Sequence, residues 1–293
     1  MFVNGSDCSI VIKTSHIEKD IPFSAETLRE AVSIMKEEVP IEGDGVCRGI
    51  RQSRGVRGCV VTPLTIGTAP LLLYLAMGAA GQPLYVSETR NLYQYELNLL
   101  PLEDTEHFDL VQDRKNERKL YEGCRVQSFE LRILRGETIK LKLNICGENA
   151  PKTYPYSDSF ERASGERFNG DFVTYLINGK EYKNIYGLTL LSKKVGGTRT
   201  EIWIKRAVMR SITGQKGGDI PDLIEELIIT AHLLRDTYEI RQFGTFRLTL
   251  KRLVLISDET EVNATGAVIS PLRFYVIGGT QAEVFTSGGE KIQ

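Results

Sequence analysis

Residues 121–147 read YEGCRVQSFELRILRGETIKLKLNICG, and apolar side chains alternate with charged or polar ones on both sides of Arg135-Gly136-Glu137. The apolar set is Val126, Phe129, Leu131, Ile133, Ile139, Leu141, Leu143 and Ile145. Successive side chains of a strand point to opposite faces of a sheet, so a period of two predicts half-buried strands. A three-residue loop aligns Ile133 with Ile139, which places both apolar sets on one face of a β-hairpin.

The other face of this hairpin carries Glu130, Arg132, Lys140, Lys142 and Asn144. A slip of one residue would bury arginine and lysine, so the register is well specified. Taken alone, the pattern is typical of an edge hairpin in a β-sandwich.

The composition indicates a globular protein without a strong overall field. The chain has 293 residues, and 37 basic against 38 acidic side chains give a net charge of −1. This balance argues against a global attraction to nucleic acid or to an acidic membrane surface. The longest apolar stretch, residues 70–81, is too short to cross a bilayer, and the N-terminal MFVNGSDCS lacks the pattern of a signal peptide.

Cysteine usage favours a reduced, intracellular protein. The five cysteines are an odd number and include no CxxC pair. The hairpin brings Cys124 and Cys146 towards each other, yet small buried thiols are favoured over a disulfide framework.

Local patterns predict a mainly β fold with flanking helices (α+β). Helices are expected at 24–39, where Ser24 is placed to cap and Leu28, Val32, Met35 and Val39 form a stripe, at 70–79, and at 221–237. Residues 43–58 are expected to form a loop or irregular strand. Strands are expected at 85–100, 172–177, 182–192, 200–208, 246–256 and 267–277.

The segment 151–170 is rich in Pro, Ser and Gly and predicts a linker or projecting loop. It divides the chain into a first domain, 1–150, and a second β-rich domain, 171–293. Both parts contain strands and a helix in a similar order, which suggests an internal duplication.

Few residues suggest chemistry. His107 lies beside Glu103, Asp104, Glu106 and Asp109, but this run is typical of a solvated loop rather than of converging metal ligands. No nucleophile, metal or nucleotide motif occurs. The sequence therefore predicts a protein that is not an enzyme, with no catalytic residue, metal or cofactor.

Four arginines, Arg48, Arg51, Arg54 and Arg57, recur at intervals of three. Arginine binds phosphate well, but the glycines between them disfavour a helix that would gather them on one face. In an extended chain they alternate between faces. Contacts between subunits are favoured over contacts with phosphate.

Two stretches together resemble the tail tube proteins of long-tailed bacteriophages. In that family a "G…TP…LL…LG" stretch precedes a "Y-x-G-C-x-V-x-S-x-x-L…GE…L…G" hairpin. The matching positions are Gly58, Thr62, Pro63, Leu71, Leu72 and Gly78, followed by Tyr121, Gly123, Cys124, Val126, Ser128, Leu131, Gly136, Glu137, Leu141 and Gly147. The resemblance covers roughly the first half of the chain.

The resemblance implies a β-sandwich whose inner sheet joins those of its neighbours into a ring-shaped β-barrel, with the hairpin in the tube wall. Rings of three or six copies would stack into a channel through which phage DNA passes without sequence-specific binding. The partners would be further copies and other tail proteins, with no membrane, in a virion tail assembled in the bacterial cytoplasm. The second half would be a second copy of the tube fold, which is favoured, or an outward decoration. A tube protein of a contractile injection system and a β-rich module that binds a ligand or partner are the alternatives.

Overall fold

A computed structural model of the chain describes residues 8–39, 46–80, 84–87, 92–114, 117–155, 160, 162–163, 165–208, 220–233, 244–258, 261–262 and 268–286. The first half contains β1 Cys8–Lys13, β2 Glu18–Ile21, β3 Ala25–Glu26, β4 Arg29–Val39, β5 Val46–Pro63, α1 Ala69–Met77, β6 Gly78–Ala80, β7 Leu84–Ser87, β8 Leu92–Leu99, β9 Phe108–Arg114, β10 Glu117–Leu134 and β11 Lys140–Gly147. The second half contains β12 Lys152–Thr153, β13 Val173–Ile177, β14 Lys180–Glu181, β15 Ile185–Lys193, β16 Arg199–Val208, β17 Leu223–His232, β18 Gly244–Asp258, β19 Glu261–Val262, β20 Val268–Val276 and β21 Thr280–Thr286. The described part of the chain is thus mainly β, with one α-helix.

The hairpin of residues 121–147 is confirmed as β10 and β11. Leu131 pairs with Leu141 and Arg132 with Lys140, which is the register that aligns Ile133 with Ile139. All eight predicted apolar side chains are buried, each at most 2% exposed. Gly136 occupies the left-handed region, with φ 79°, in the turn, where a glycine carries no steric cost. A bulge between Val126 and Ser128 explains why Val126 shares the buried face although its number is even.

The helix predicted at 24–39 is wrong, because this segment is extended. Ala25–Glu26 and Arg29–Val39 are strands that pair with β5. Ser24 does not cap a helix; its backbone N–H and its hydroxyl both donate to the carbonyl of Val61. Pairing along the whole of β4 with the next strand, β5, overrides the helix propensity of the local sequence.

The helix predicted at 221–237 is also wrong over the part that the structure describes. Residues 223–232 form β17, which pairs with β13 and β18. Its buried residues are Ile224, Leu227, Ile229 and Ala231, whereas Leu223 is half exposed. Because alternate residues from 227 to 231 face the core, the period is that of a strand.

The short apolar helix is confirmed as α1. Every residue from Ala69 to Met77 is buried, and the helix ends at Gly78, whose φ of 107° is easily adopted by glycine. Of the glycine- and arginine-rich segment predicted as a loop or irregular strand, residues 46–58 belong to β5, a strand with a bulge at Gln52. The region 85–100 forms two strands, β7 and β8. The strands predicted in the second half are confirmed as β13, β15, β16, β18 and β20.

One long antiparallel sheet organises the described chain. Its order is β4, β5, β11, β10, β15, β16, β20, β18, β17 and β13. The first part of β10 pairs with β9, and this branch continues through β1 to β2. The first part of β18 likewise pairs with β21, and this second branch continues to β8. The two branches and α1 enclose a common hydrophobic core on one side of the sheet. The described pairs leave the sheet open.

The strand pairing of the first half recurs in the second. The path β2–β1–β9–β10–β11–β5–β4 in the first half corresponds to β14–β13–β17–β18–β20–β16–β15 in the second, with the strands in the same chain order. Even the bulge recurs. Val126 pairs with Ile145 before the bulge in β10, and Leu255 pairs with Phe274 before the bulge in β18. The numbers of both partners differ by the same 129 residues.

The division at 151–170 remains a prediction, and strand pairs cross it. β10 pairs with β15, and β8 pairs with β21, so the two halves share one sheet. Within the segment, Phe168 is fully buried and its backbone bonds to Leu64 and Ile139. The described residues 165–170 therefore pack on the first half.

The two faces of the hairpin predict opposite responses to mutation. Leu141 is fully buried, so Leu141→Asp would place an uncompensated charge in the core at a cost of several kcal/mol. We expect this variant to be unfolded or to melt far below the wild type in circular dichroism. Lys140→Ala, on the exposed neighbour, should change the free energy of unfolding by less than about 0.5 kcal/mol. Small and equal effects would contradict the two-faced hairpin.

Candidate assembly interface

The long sheet has two edges that lack a strand partner within the described residues. One is the outer edge of β4, which pairs only with β5. The other is the end of β18, where strand pairing with β17 stops at Leu223 and Val254 and, among the described strands, β20 continues alongside; the N–H of Leu255 still donates to the carbonyl of Asp222 at 2.8 Å. Unpaired strand edges expose a row of N–H and C=O groups and readily recruit a further strand.

Exposed apolar side chains accompany the second edge. Leu223, Val254, Ile256 and Ile277 are between 39% and 66% exposed. Leu223 and Val254 are paired across β17 and β18, and the N–H of Ile277 donates to the carbonyl of Arg252 at 2.8 Å. An apolar cluster beside a free strand edge is typical of a surface that a partner covers.

The junction between the two halves shows how one repeat continues into the next. The second part of β10 pairs with β15 from Ser128↔Lys193 to Leu134↔Gly187. Gly187 allows this approach, because a Cβ there would lie 2.3 Å from Cδ2 of Leu134. β15 corresponds to β4 and β10 corresponds to β18 in the repeated pairing order. The two free edges are therefore the counterparts of strands that pair with each other inside the chain.

The face of the long sheet opposite the core carries the polar side chains of the hairpin. Glu130 is aligned with Lys142 on one side and with Leu191 on the other, and Leu191 is aligned with Glu201. Glu201 accepts from Arg199 at 3.0 Å and from Arg273 at 2.7 Å. An open cavity of about 250 Å³ beside these ion pairs is lined by Leu191, Lys193, Arg199, Glu201 and Arg273.

The four predicted contact arginines belong to β5. The backbone of Arg48, Arg51 and Arg54 pairs with β4, and their side chains lie outside the described part of the structure. Arg57 is exposed and is aligned with Arg29 of β4. The structure places all four at the β4 end of the sheet, and their role between subunits stays a prediction.

Lys194 is a buried amine at the end of the β10–β15 pairing. The residue is 1% exposed, its backbone N–H donates to the carbonyl of Gln127, and its Nζ has no hydrogen-bond partner among the residues that the structure describes. Burial lowers the pKa of this amine to about 8, because the charged form loses its hydration.

Other titratable groups act in packing. The hydroxyl of Tyr74 donates to Glu106 at 2.5 Å, and burial together with this carboxylate raises the pKa of the tyrosine. Burial likewise raises the pKa of the Cys124 thiol to about 12, which makes it unreactive. The four cysteines that the structure describes, Cys8, Cys59, Cys124 and Cys146, are free thiols.

The acidic run around His107 serves the fold. Asp109 accepts from the N–H of Gly123 at 2.9 Å, and Glu106 holds Tyr74. Among the described residues, no three His, Cys, Asp or Glu side chains converge as metal ligands. His232 lies in β17, with Nδ1 3.3 Å from the Thr245 hydroxyl.

Another cavity, of about 350 Å³, opens between β13, β14 and β15 and includes Arg135, Asp171, Tyr175, Glu181, Lys183 and His232. Burial raises the pKa of Tyr175, which keeps its phenol neutral.

No family model and no curated protein matches the sequence. None of the described helices is both long and apolar enough to span a bilayer.

Sequence reasoning located the hairpin but missed the two edges and the cluster around Glu201. The edges were missed because β4 carries helix-favouring residues. Arg273 and Glu201 are 72 positions apart, so no local pattern could join them. The alternation in Arg199-Thr-Glu-Ile-Trp-Ile-Lys205 is the one available signal, since it places Arg199, Glu201 and Trp203 on one face.

Lys194 predicts a stability that depends on pH. Between about pH 8 and the ordinary lysine pKa of 10.5, the unfolded chain binds more protons at this amine than the folded chain does. Its contribution to stability therefore rises with pH through that window. Lys194→Met removes the buried charge, so we expect a gain of about 1–3 kcal/mol at pH 7.

This gain should shrink as the pH approaches about 10.5, as measured by urea unfolding across the pH series. Lys193→Met replaces the exposed neighbour and is the matched control, with no gain expected. If Lys194→Met were less stable than the wild type at pH 7, the conclusion that the buried Lys194 amine destabilises the folded chain would be contradicted.

Proposed function

We propose that this protein is a structural subunit of a phage tail tube, which polymerises into stacked rings around a channel for DNA. It is a scaffold without catalytic activity, and its ring is built from three chains. The observation that carries the proposal is the repeated strand pairing, in which β4 and the end of β18 are the counterparts of β15 and β10, two strands that pair with each other inside the chain.

The free edges favour a ring over a closed monomer or a symmetric dimer. Within the chain, the second part of β10 pairs with β15. The same relation between chains would pair the end of β18 in one copy with β4 of the next. Such a contact uses two different surfaces, so it is head-to-tail and either closes as a ring or continues as a helix. Ring closure would also remove both exposed edges.

Copy number follows from the repeat. Each chain supplies two sets of four neighbouring strands: β4, β5, β11 and β10, and then β15, β16, β20 and β18. Barrel diameter grows with strand number, so a duplicated chain needs half as many subunits for the same channel. Three chains would thus imitate six single-repeat subunits.

The resemblance of the Gly58–Gly78 and Tyr121–Gly147 stretches to tail tube proteins supplies the functional class. In the proposed ring, the hairpin of β10 and β11 forms part of the wall. The core, α1 and the two branches cover one face of the sheet, so the uncovered face is the one that can line a channel. A tube of a contractile injection system would use the same ring.

The repeat fixes the register between chains. Ser128 pairs with Lys193 at the internal junction. Ser128 is the first paired residue after the bulge in β10, and Ser257 is the first paired residue after the corresponding bulge in β18, so the two serines are counterparts. Following the pairing through β16 and β5 makes Ala31 the counterpart of Lys193. The proposal therefore aligns Ser257 of one chain with Ala31 of the next.

A disulfide tests this register. Directly opposed residues of antiparallel strands have Cα atoms about 4.5–5.5 Å apart, which suits a disulfide. We expect the Ala31→Cys/Ser257→Cys double variant to form, on mild oxidation, covalent oligomers that end at the trimer on a non-reducing gel. Electron microscopy down the particle axis should show a threefold ring with six similar lobes.

The control is Glu30→Cys/Ser257→Cys, which moves one thiol by a single residue to the opposite face of the strand. It should give little cross-linking, as should the wild type with its own thiols. Persistent monomers in microscopy and no cross-link would instead favour a β-rich binding module. Sixfold rings with peripheral knobs would favour a decorating second half.

A further inference from the structure

The uncovered face of the long sheet is basic, although the whole chain has a net charge of −1. Cross-strand partners lie on the same face of a sheet, so the alignment assigns side chains to it. On strands β5, β11, β10, β15, β16 and β20, the basic side chains of this face are Arg57, Lys140, Lys142, Arg132, Lys193, Arg199, Lys205 and Arg273. The acidic side chains of this face on these strands are Glu130 and Glu201, and Glu137 of the β10–β11 turn lies 3.8 Å from Arg132. Positive charge is therefore segregated onto one surface.

The centre of this surface is a preorganised pair of arginines. Glu201 is 9% exposed and binds both Arg199 and Arg273. The guanidinium of Arg199 lies 4.4 Å from the centre of the Tyr275 ring, and that of Arg273 lies 5.3 Å from the Trp203 ring. A carboxylate and an aromatic face thus hold each guanidinium, which reduces the entropy lost when it binds an anion.

The arrangement suits phosphate rather than a nucleic acid base. The two aromatic rings already carry arginines, so they offer less free surface for stacking a base. The open cavity beside them is lined by Lys193, Arg199 and Arg273, with Leu191 and Glu201 completing it. Lys193 and Lys205 are exposed at the two ends of β15 and β16 around this cluster. Guanidinium and ammonium groups of this kind contact phosphate oxygens without reading sequence.

We infer that this face, centred on Arg199 and Arg273, binds the phosphate backbone of duplex DNA without sequence preference. The inference depends on charge and geometry within one chain, and it holds for an unassembled subunit. Where the proposed ring forms, the same surface lines the channel, so the wall contacts the DNA that passes through.

The test measures binding of the full chain to a fluorescent duplex of random sequence by anisotropy, over a series of salt concentrations. The logarithm of the affinity should fall linearly with the logarithm of salt, by about 0.9 for each phosphate contact. Lys193→Gln/Lys205→Gln removes two cations and leaves the Glu201 ion pairs intact. We expect this variant to bind at least about tenfold more weakly at low salt, with a slope smaller by about two.

The matched control is Lys180→Gln/Lys183→Gln, which removes two exposed lysines from the β13–β15 connection, away from this face. It should bind as the wild type does. Equal losses in both variants, or no binding of the wild type at low salt, would overturn the inference. Binding of polyglutamate but not of DNA would instead assign the face to an acidic polypeptide. Sedimentation run in parallel reports assembly separately, so DNA binding by a chain that never forms rings would refute the tube but not this site.

Discussion

Backbone pairing along two long strands is the constraint on which the rest of the structure depends. β10 begins beside β9 and ends between β11 and β15, and β18 begins between β17 and β21 and ends beside β20. Each strand therefore belongs to the long sheet and to a branch. Because buried N–H and C=O groups must be paired, the change of neighbours fixes where each branch folds over the core. The bulges at Gln127 and Ile256 lie in the segment where this change occurs.

The sequence predicted the parts of the fold whose information is local. The hairpin of residues 121–147 has a clear period of two, a short loop and a glycine where the turn needs a left-handed residue. The side chains predicted from this pattern to be buried are buried in the structure. The apolar helix α1 was equally local. Residues 24–39 and 221–233 have helix-favouring composition, and pairing with neighbouring strands makes residues 29–39 and 223–232 extended instead. Burial alternates from Leu227 to Ala231, where β13 and β18 flank β17.

For the candidate site as well, the sequence predicted the local features and not those that depend on pairing between strands. The polar positions of β10 and β11 were placed on one face from sequence, and the structure extends that face across β15, β16 and β20. The role of Glu201 could not be predicted, because it depends on Arg273 from a strand far along the chain. Repetition was suggested by the similar order of elements in the two halves. The pairing order and the shared bulge support this repetition, and neither can be seen from sequence identity between the two halves.

The pairing of β10 with β15 has a consequence for how assembly depends on concentration. A tube made of single-repeat subunits must form every lateral junction by encounter in solution. Here every second junction would form while the chain folds, between segments that the backbone keeps at high effective concentration. A ring then needs three encounters rather than six. Fewer encounters lower the entropic cost of the first closed ring, so rings should appear at lower protein concentration and with fewer stalled intermediates.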